Sequence, residues 1–266
     1  MRTAIVFLLA AATSVGAAAA EFDHAPWNAL LSRHVNQIGE VDYAALKANR
    51  QPLDAYVAAL AAASPDSRKE LFPNRAAELA YWLNAYNALT AKGVVDHYPT
   101  RSVRDLGAIY GFFRRNDYTL GGVAMSLRFL ENDIIRPRYK DPRIHFAIVC
   151  ASISCPLLAR QAFTGAQLEE QLDRLTRASL AETRNVSIDT KTGTVTLTSL
   201  FKWYAADFGP ALAYIRRYST PERARMLDQL GPTPRLRFFD YDWSINEPGS
   251  RAKAKLGFER ELAQSH

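Results

Sequence analysis

Apolar residues recur at helical spacing through the first part of the chain. In residues 27–35 and again in 53–60 they fall three and four positions apart, so that they share one face of a helix. A longer helix is predicted to begin after Pro73-Asn74 and to run to about Lys92, with Gly93 as its stop. The chain is therefore predicted to begin its fold with a layer of helices.

Short strands and short helices are predicted in the rest of the chain. Gly121-Gly122 lies between residues typical of strands and indicates a tight hairpin. Ser126 is suited to cap a helix that Pro137 would limit. The remaining predicted strands are 144–149, 186–188, 195–197 and 236–241, and the remaining predicted helices begin at Leu168 and Leu200. With no repeat or linker visible, residues 21–266 are predicted to form a single α+β domain.

The first 20 residues have the order of a secretory signal peptide. Arg2 precedes an apolar run from Ala4 to Ala12, and Ala18 and Ala20 stand in an A-x-A arrangement before the following acidic residue. The apolar run is shorter than the roughly 20 residues that a spanning helix needs. We therefore expect cleavage after Ala20 and a periplasmic or secreted protein without a transmembrane segment.

Composition and charge narrow the classes of function. The 266 residues are 48% hydrophobic, which excludes wholesale disorder, and the net charge is only +6. Basic residues are scattered without a run of five, so nucleic-acid binding is not expected. No cofactor is predicted from the sequence.

Two asparagines interrupt the apolar surface of the long predicted helix. Asn84 and Asn87 lie three positions apart, beside Trp82 and Tyr86. A buried amide is costly unless it is hydrogen bonded. These asparagines either tie the helix to neighbouring loops or line a binding site together with Trp82 and Tyr86.

The run from Asp141 to Pro156 carries the densest set of reactive side chains. It holds His145 and the chain's only two cysteines, Cys150 and Cys155. In an oxidising compartment a disulfide between them is the default. The alternatives are a thiolate activated by a nearby imidazole and a metal site, for which two cysteines and one histidine are too few.

Spacing limits how His145 can meet a cysteine. On a regular strand, His145 and Cys150 would point to opposite faces because they are five positions apart. Cys155 could return toward His145 after a turn through the intervening residues. Near the C-terminus, Asp240 and Asp242 either orient a histidine or cap the turn that follows their strand. Asp207 is interpreted as a surface residue or a local partner.

Four motifs together resemble the domain of unknown function 547 family. They are YWLNAYNALT, IHFAIVCASISCPLL, LTSLFKWYAADF and FFDYDWSIN, and they run in this order from about Leu79 to Asn246. The family has no agreed reaction. It is distantly similar to the papain-like and transglutaminase-like superfamily of cysteine hydrolases and transferases.

That similarity implies a helical layer packed on an antiparallel sheet, and a histidine on a strand with an acidic partner. Carried over, His145 would be that histidine and Asp240 or Asp242 its partner. The cysteine nucleophile of papain-like enzymes has no equivalent in this sequence, because the matching helix, YWLNAYNALT, has no cysteine and both thiols follow the histidine.

Two functions are consistent with these residues. One is a thiol-dependent hydrolase or transferase that uses Cys150 or Cys155 with His145 and a C-terminal aspartate. The other is a non-catalytic protein of the cell envelope that binds a peptide, a glycan or other cell-wall ligand, or a small molecule such as a small thiol. Its cleft would be lined by Trp82, Tyr86, His145 and the two helix asparagines, with Cys150–Cys155 as a structural disulfide.

Overall fold

Helices make up most of the chain in the computed structural model, which describes residues 21–107, 111–115 and 118–252. The predicted signal segment, residues 1–20, lies outside the described residues. The helices before the first strand are α1 Ala25–His34, α2 Tyr43–Ala48, α3 Gln51–Ala62, α4 Arg75–His97 and the short α5 Gly111–Arg114. The predicted N-terminal layer of helices is thus confirmed.

Helix α4 is buried along most of its length and runs past its predicted end. Asn74 caps it by accepting a hydrogen bond from the Ala77 N–H at 2.9 Å. Gly93 does not stop the helix, which continues to His97. A Cβ at Gly93 would lie 2.4 Å from both the Phe112 ring and the Tyr118 hydroxyl. The glycine is therefore explained by close packing and not by helix termination.

Three consecutive helical pieces follow the first hairpin, namely α6 Leu127–Phe129, a π turn Leu130–Ile135 and α7 Arg136–Tyr139. Ser126 caps them as predicted, accepting from the Phe129 N–H at 3.1 Å. Pro137 does not end the helix where expected. The π turn ends two positions before Pro137 and includes Asp133, whose carbonyl would clash with the prolyl ring in a regular α-helix.

The structure confirms the α+β class with two small sheets. β1 Tyr118–Leu120 and β2 Val123–Met125 form the hairpin across Gly121-Gly122. β3 Val186–Asp189 and β4 Thr194–Leu197 form a second antiparallel pair. β5 Arg235–Phe238 lies parallel to β4. Both hairpins have the expected antiparallel pairing, and β5 adds a parallel strand because the chain crosses through helices between β4 and β5.

The prediction of a buried strand at residues 144–149 is wrong. Residues Pro142–Phe146 form a 3-10 helix, capped by the Asp141 carboxylate, which accepts from the Arg143 N–H at 2.9 Å. All residues from Ile144 to Val149 are buried. A short apolar run that is buried on every side has no periodicity by which strand and helix can be told apart.

Two hydrophobic clusters meet at this 3-10 helix. The larger cluster contains the apolar residues of α1 to α4 and the buried side of the first hairpin. The smaller one contains β3, β4 and the helices after β4. Phe146 belongs to the smaller cluster, whereas Ile144 and Ala147 belong to the larger. The remaining helices are α8 Leu168–Ala181, α9 Leu200–Trp203, α10 Ala205–Phe208, α11 Ala211–Tyr218 and α12 Pro221–Gln229.

Across the described ranges, no helix is both long enough and apolar enough to cross a bilayer.

Candidate functional site

A pocket of about 380 Å³ opens where the two hydrophobic clusters meet. Helix α4 contributes Tyr86 to its lining and the π turn contributes Glu131. The 3-10 helix and the loop after it contribute His145 and the two cysteines. Residues from 200 to 243 complete the lining, so that the pocket draws its walls from segments more than 100 positions apart in the chain.

Three aromatic rings form the outer wall of the pocket. The ring centroid of Trp203 lies 4.7 Å from that of Tyr241 and 5.8 Å from that of Trp243. Tyr241 and Trp243 are 4.6 Å apart. Trp203 is 46% exposed, although large aromatic side chains usually bury most of their surface. We call Trp203, Tyr241 and Trp243 the aromatic wall.

A buried carboxyl group lies at the pocket's inner side. Glu131 is 8% exposed, and its carboxylate accepts a hydrogen bond from the Tyr86 hydroxyl at 3.4 Å. The Tyr204 hydroxyl also bonds it. Burial raises the pKa of Glu131 above its usual value, although Arg136 and these hydroxyls oppose the shift. Glu131 lies in the π turn, a type of distortion that often occurs at functional sites.

His145 is held by a carboxylate that is itself held by an arginine. His145 Nε2 lies 2.7 Å from Asp207 Oδ2. Arg136 bonds both oxygens of the same carboxylate, at 2.7 and 3.0 Å. The His145 ring also stacks on Tyr204 with centroids 3.9 Å apart. The imidazole thus has a fixed orientation at the pocket wall.

Burial dominates the protonation of this histidine. It lowers the pKa of His145 to about 4, and the opposing effect of Asp207 does not overcome it. Arg136 explains the weakness of that effect, because its guanidinium lowers the pKa of Asp207 and already pairs with the carboxylate. At neutral pH His145 is uncharged. Its Nε2–H then donates to Asp207 and its Nδ1 keeps a lone pair.

The predicted acidic partners of His145 are corrected by this geometry. Asp207, and neither Asp240 nor Asp242, contacts the imidazole. Asp240 is exposed. The carboxylate of Asp242 accepts from the Ser244 N–H at 2.9 Å, which is the turn-capping alternative. The wrong assignment arose because the histidine lies on a 3-10 helix and not on a strand beside β5.

Cys150 and Cys155 form a disulfide, as the default prediction had it. Both cysteines line the pocket, with Cys150 half-buried and Cys155 only 2% exposed. The hydroxyls of Ser152 and Tyr241 lie against the two sulfurs. While the bond is intact, neither cysteine is a thiolate nucleophile. Nowhere in the described ranges do three histidine, cysteine or acidic side chains gather as metal donors.

Asn84 and Asn87 form hydrogen bonds with loop backbone and do not line the pocket. The Asn84 amide donates to the Phe163 carbonyl at 2.8 Å and accepts from the Phe163 N–H at 2.9 Å. Asn87 makes the equivalent pair with the Ala147 carbonyl and the Val149 N–H, both at 2.9 Å. Trp82 is likewise buried away from the pocket. Of the four predicted binding residues, only Tyr86 reaches it.

Two residues of the site, Glu131 at the pocket and Asp207 beside His145, had a signal in the sequence that was not recognised. Glu131 lies four positions from both Leu127 and Ile135, and therefore on the apolar face of its helix. Asp207 is the second-to-last residue of the third motif, where it was interpreted as a surface residue or a local partner. Arg136 offered no comparable signal, since exposed arginines are common.

Most residues that line the pocket lie in a stretch of the chain that matches a known protein family. Residues 71–179 match the model of one protein family. That family is DUF547, described as a protein of unknown function. The match confirms the resemblance drawn from the motifs. It contains Tyr86, Glu131, His145 and both cysteines, whereas the aromatic wall and Asp207 lie beyond its end.

The other two comparisons returned no match. No curated protein matches the chain, and no solved structure does. The distant likeness to papain-like enzymes is therefore not supported by a structural neighbour. The function proposed below therefore rests on the pocket itself.

Proposed function

We propose that the protein binds a small organic molecule in this pocket, one with a flat ring and an anionic group. The single observation that carries the proposal is the aromatic wall beside a cavity of about 380 Å³. Small-molecule sites are concave and mostly apolar, with a few polar groups that orient the ligand. A volume of this size accommodates a single-ring compound.

The aromatic wall favours a ring that stacks. Trp203 presents nearly half of its surface to solvent beside Tyr241 and Trp243. Stacked or edge-on aromatic contacts contribute about 0.5–1.5 kcal/mol beyond the burial of area. A planar ligand would cover indole surface that is otherwise exposed to water.

The charges around the pocket favour an anion. Arg114 and Arg128 are exposed and belong to its lining. The inner carboxyl, Glu131, has a raised pKa and is bonded by two tyrosine hydroxyls, which reduces its repulsion of a second negative charge. A ligand whose ring faces the aromatic wall and whose anionic group faces the arginines satisfies both surfaces.

The competing function is a thiol-dependent hydrolase or transferase, and it requires reduced cysteines. His145 is oriented and keeps a lone pair on Nδ1, but its pKa of about 4 lies well below the near-neutral value that suits a general base. The Cys150–Cys155 bond also removes the nucleophile. The disulfide supports the binding function and also the proposal that the mature chain, residues 21–266, is a periplasmic or secreted single-domain protein.

Ligand-observed saturation-transfer NMR tests the binding proposal. The probes are phenylacetate, phenylacetamide and acetate, which supply ring and charge, ring alone and charge alone. We expect the strongest signal from phenylacetate and the weakest from acetate. We also expect Trp203→Ala to weaken phenylacetate binding by about tenfold, since removal of an anchoring aromatic typically costs 1–2 kcal/mol.

Phe238→Ala is the matched control. Phe238 is 41% exposed, close to the value for Trp203, but it does not line the pocket. Binding should be unchanged in this variant. Equal loss of signal in both variants, or no saturation transfer to either ring probe at millimolar concentration, would show that the aromatic wall is not a binding surface for such ligands.

A further inference from the structure

We infer that the Cys150–Cys155 disulfide undergoes thiol–disulfide exchange with a low-molecular-weight thiol that enters the pocket. Cys150 is the sulfur that is attacked and Cys155 is the leaving group. This activity goes beyond ligand binding, and it does not depend on which molecule the aromatic wall holds. It rests on the unequal surroundings of the two sulfurs.

The two cysteines differ first in how exposed they are to a molecule in the pocket. Both cysteines line the pocket, but Cys150 is half-buried and Cys155 is 2% exposed. A thiolate attacks the sulfur that it can reach. A thiol arriving through the pocket therefore reaches the Cys150 sulfur.

Hydrogen-bond donors distinguish the sulfurs next. The backbone N–H of Cys150 donates to Cys155 Sγ at 2.9 Å. The hydroxyls of Ser152 and Tyr241 lie 3.4 and 3.3 Å from the same sulfur. The same two hydroxyls lie 3.1 and 3.4 Å from Cys150 Sγ and therefore do not distinguish the two sulfurs. The backbone N–H is the donor that favours Cys155. Three donors around one sulfur stabilise it as a thiolate.

Positive charge adds to this preference. Arg184 and Arg251 each donate to the carbonyl oxygen of Cys155 at 3.1 Å. Both guanidiniums therefore lie close to the residue that would carry the negative charge. Cationic neighbours lower thiol pKa values, and a leaving thiol of lower pKa departs faster. Burial also raises the pKa of the Tyr241 hydroxyl to about 12, which keeps it a donor at neutral pH.

The exchange step balances without a further reagent. The incoming thiol loses its proton to water or buffer and attacks Cys150 Sγ as a thiolate. The new bond joins the small molecule's sulfur to Cys150 Sγ, and the bond between the two protein sulfurs breaks. Its electron pair passes to Cys155 Sγ. A second thiol then attacks the mixed disulfide, which releases the small-molecule disulfide and leaves both cysteines reduced.

The fold does not require the bond to stay closed. Closing a loop of so few residues removes little entropy from the unfolded chain, which limits the stabilisation to about 2 kcal/mol. Helix α4 also holds the preceding segment independently, through the two hydrogen bonds of Asn87. We therefore expect the exchange to proceed in the folded protein.

Intact-mass spectrometry after acid quenching tests the exchange on the folded, oxidised full-length chain. Reduced glutathione is the probe, and N-ethylmaleimide traps free thiols before fragmentation. We expect a mixed disulfide on Cys150, with the trapped thiol on Cys155. With glutathione disulfide as the reverse probe, Cys155→Ser should form its mixed disulfide about tenfold faster than Cys150→Ser, because the Cys150 thiol is the accessible one.

A substitution of Tyr241 tests whether its hydrogen bond helps Cys155 Sγ to leave. Tyr241→Phe should slow the reaction with glutathione about fivefold, as expected for loss of one hydrogen bond to the departing sulfur. Tyr139→Phe, whose hydroxyl bonds Glu78, is the matched control and should react like wild type. Ser152→Ala replaces Tyr241→Phe if that variant does not fold.

Three results would overturn the inference. They are reduction only after denaturant is added, glutathione attached to Cys155, and a Tyr241→Phe rate equal to that of wild type. Failure of the ring probes to bind would not affect this test. The exchange and the proposed binding function can therefore fail separately.

Discussion

His145 illustrates how a histidine can remain neutral beside a carboxylate. Its side chain is almost completely buried, and Asp207 accepts its Nε2–H at 2.7 Å. Arg136 already neutralises that carboxylate, and desolvation then dominates the histidine's pKa. At the residue scale, burial thus determines the protonation of this ring, and the Arg136 guanidinium contributes by pairing with the carboxylate that would otherwise oppose it.

Titration of His145 should therefore lie far below that of an ordinary histidine. We expect a pKa of about 4 and, at neutral pH, the Nε2–H tautomer, both of which long-range ¹H–¹⁵N NMR measures. The unfolded chain binds this proton near pH 6.5. The contribution to folding stability is therefore present above pH 6.5 and is lost as pH falls toward 4, by at most about 3 kcal/mol.

His97 serves as the internal comparison, because it is exposed and its ring bonds the Gly93 carbonyl at 2.8 Å. The His145→Gln variant assigns the signal. A His145 signal that titrates near pH 6.5, or an Nδ1–H tautomer, would contradict the view that Asp207 and burial control this ring.

At the scale of elements, α4 shows that a glycine can be required inside a helix. Gly93 lies inside α4, and Phe112 and Tyr118 pack against its bare Cα. The sequence indicated a stop because glycine has low helix propensity. Packing against α5 and β1 overrides that propensity.

Gly93→Ala should destabilise the protein by about 1–3 kcal/mol, as overpacking does in well-filled cores. Helix propensity alone predicts the opposite sign, a gain of about 1 kcal/mol. Urea unfolding, followed by circular dichroism, measures the difference in free energy of unfolding.

The Phe112→Leu background tests whether the contact with Phe112 causes the destabilisation of Gly93→Ala. A smaller side chain at position 112 makes room for the new methyl group. We expect Gly93→Ala to cost less in the Phe112→Leu background than in wild type. Equal costs in both backgrounds would mean that the Phe112 contact is not the source of the destabilisation.

For the whole molecule, the 3-10 helix Pro142–Phe146 joins the two hydrophobic clusters. Phe146 is fully buried in the cluster of β3, β4 and the later helices, while Ile144 is buried among the residues of α4. His145 lies between them at the pocket wall. The pocket therefore depends on how the two clusters are held together.

Phe146→Ala should loosen the smaller cluster more than the larger one. We expect a loss of about 3–5 kcal/mol and faster amide hydrogen exchange in β3 and β4 than in α4. Leu83→Ala, which removes a fully buried side chain of α4, should have the reverse pattern. Uniform acceleration over both clusters in both variants would show that they unfold as one unit.

Local signals in the sequence determined much of the fold. The early helices, the Gly121-Gly122 hairpin and the Cys150–Cys155 pair followed from periodicity, turn residues and the presence of only two cysteines. Each of these features depends on residues that are close in the chain. The buried segment 144–149 was misassigned because burial on all sides erases periodicity.

The site was decided by tertiary structure. Asp207 meets His145 across 62 positions, and Tyr241 meets the disulfide across about 90. Neither contact leaves a pattern along the chain, because the folding of the helices after β4 brings these segments together. The sequence by itself thus determined the reactive segment and its disulfide. Only packing of the two clusters decided which carboxylate orients the histidine and which rings enclose the pocket.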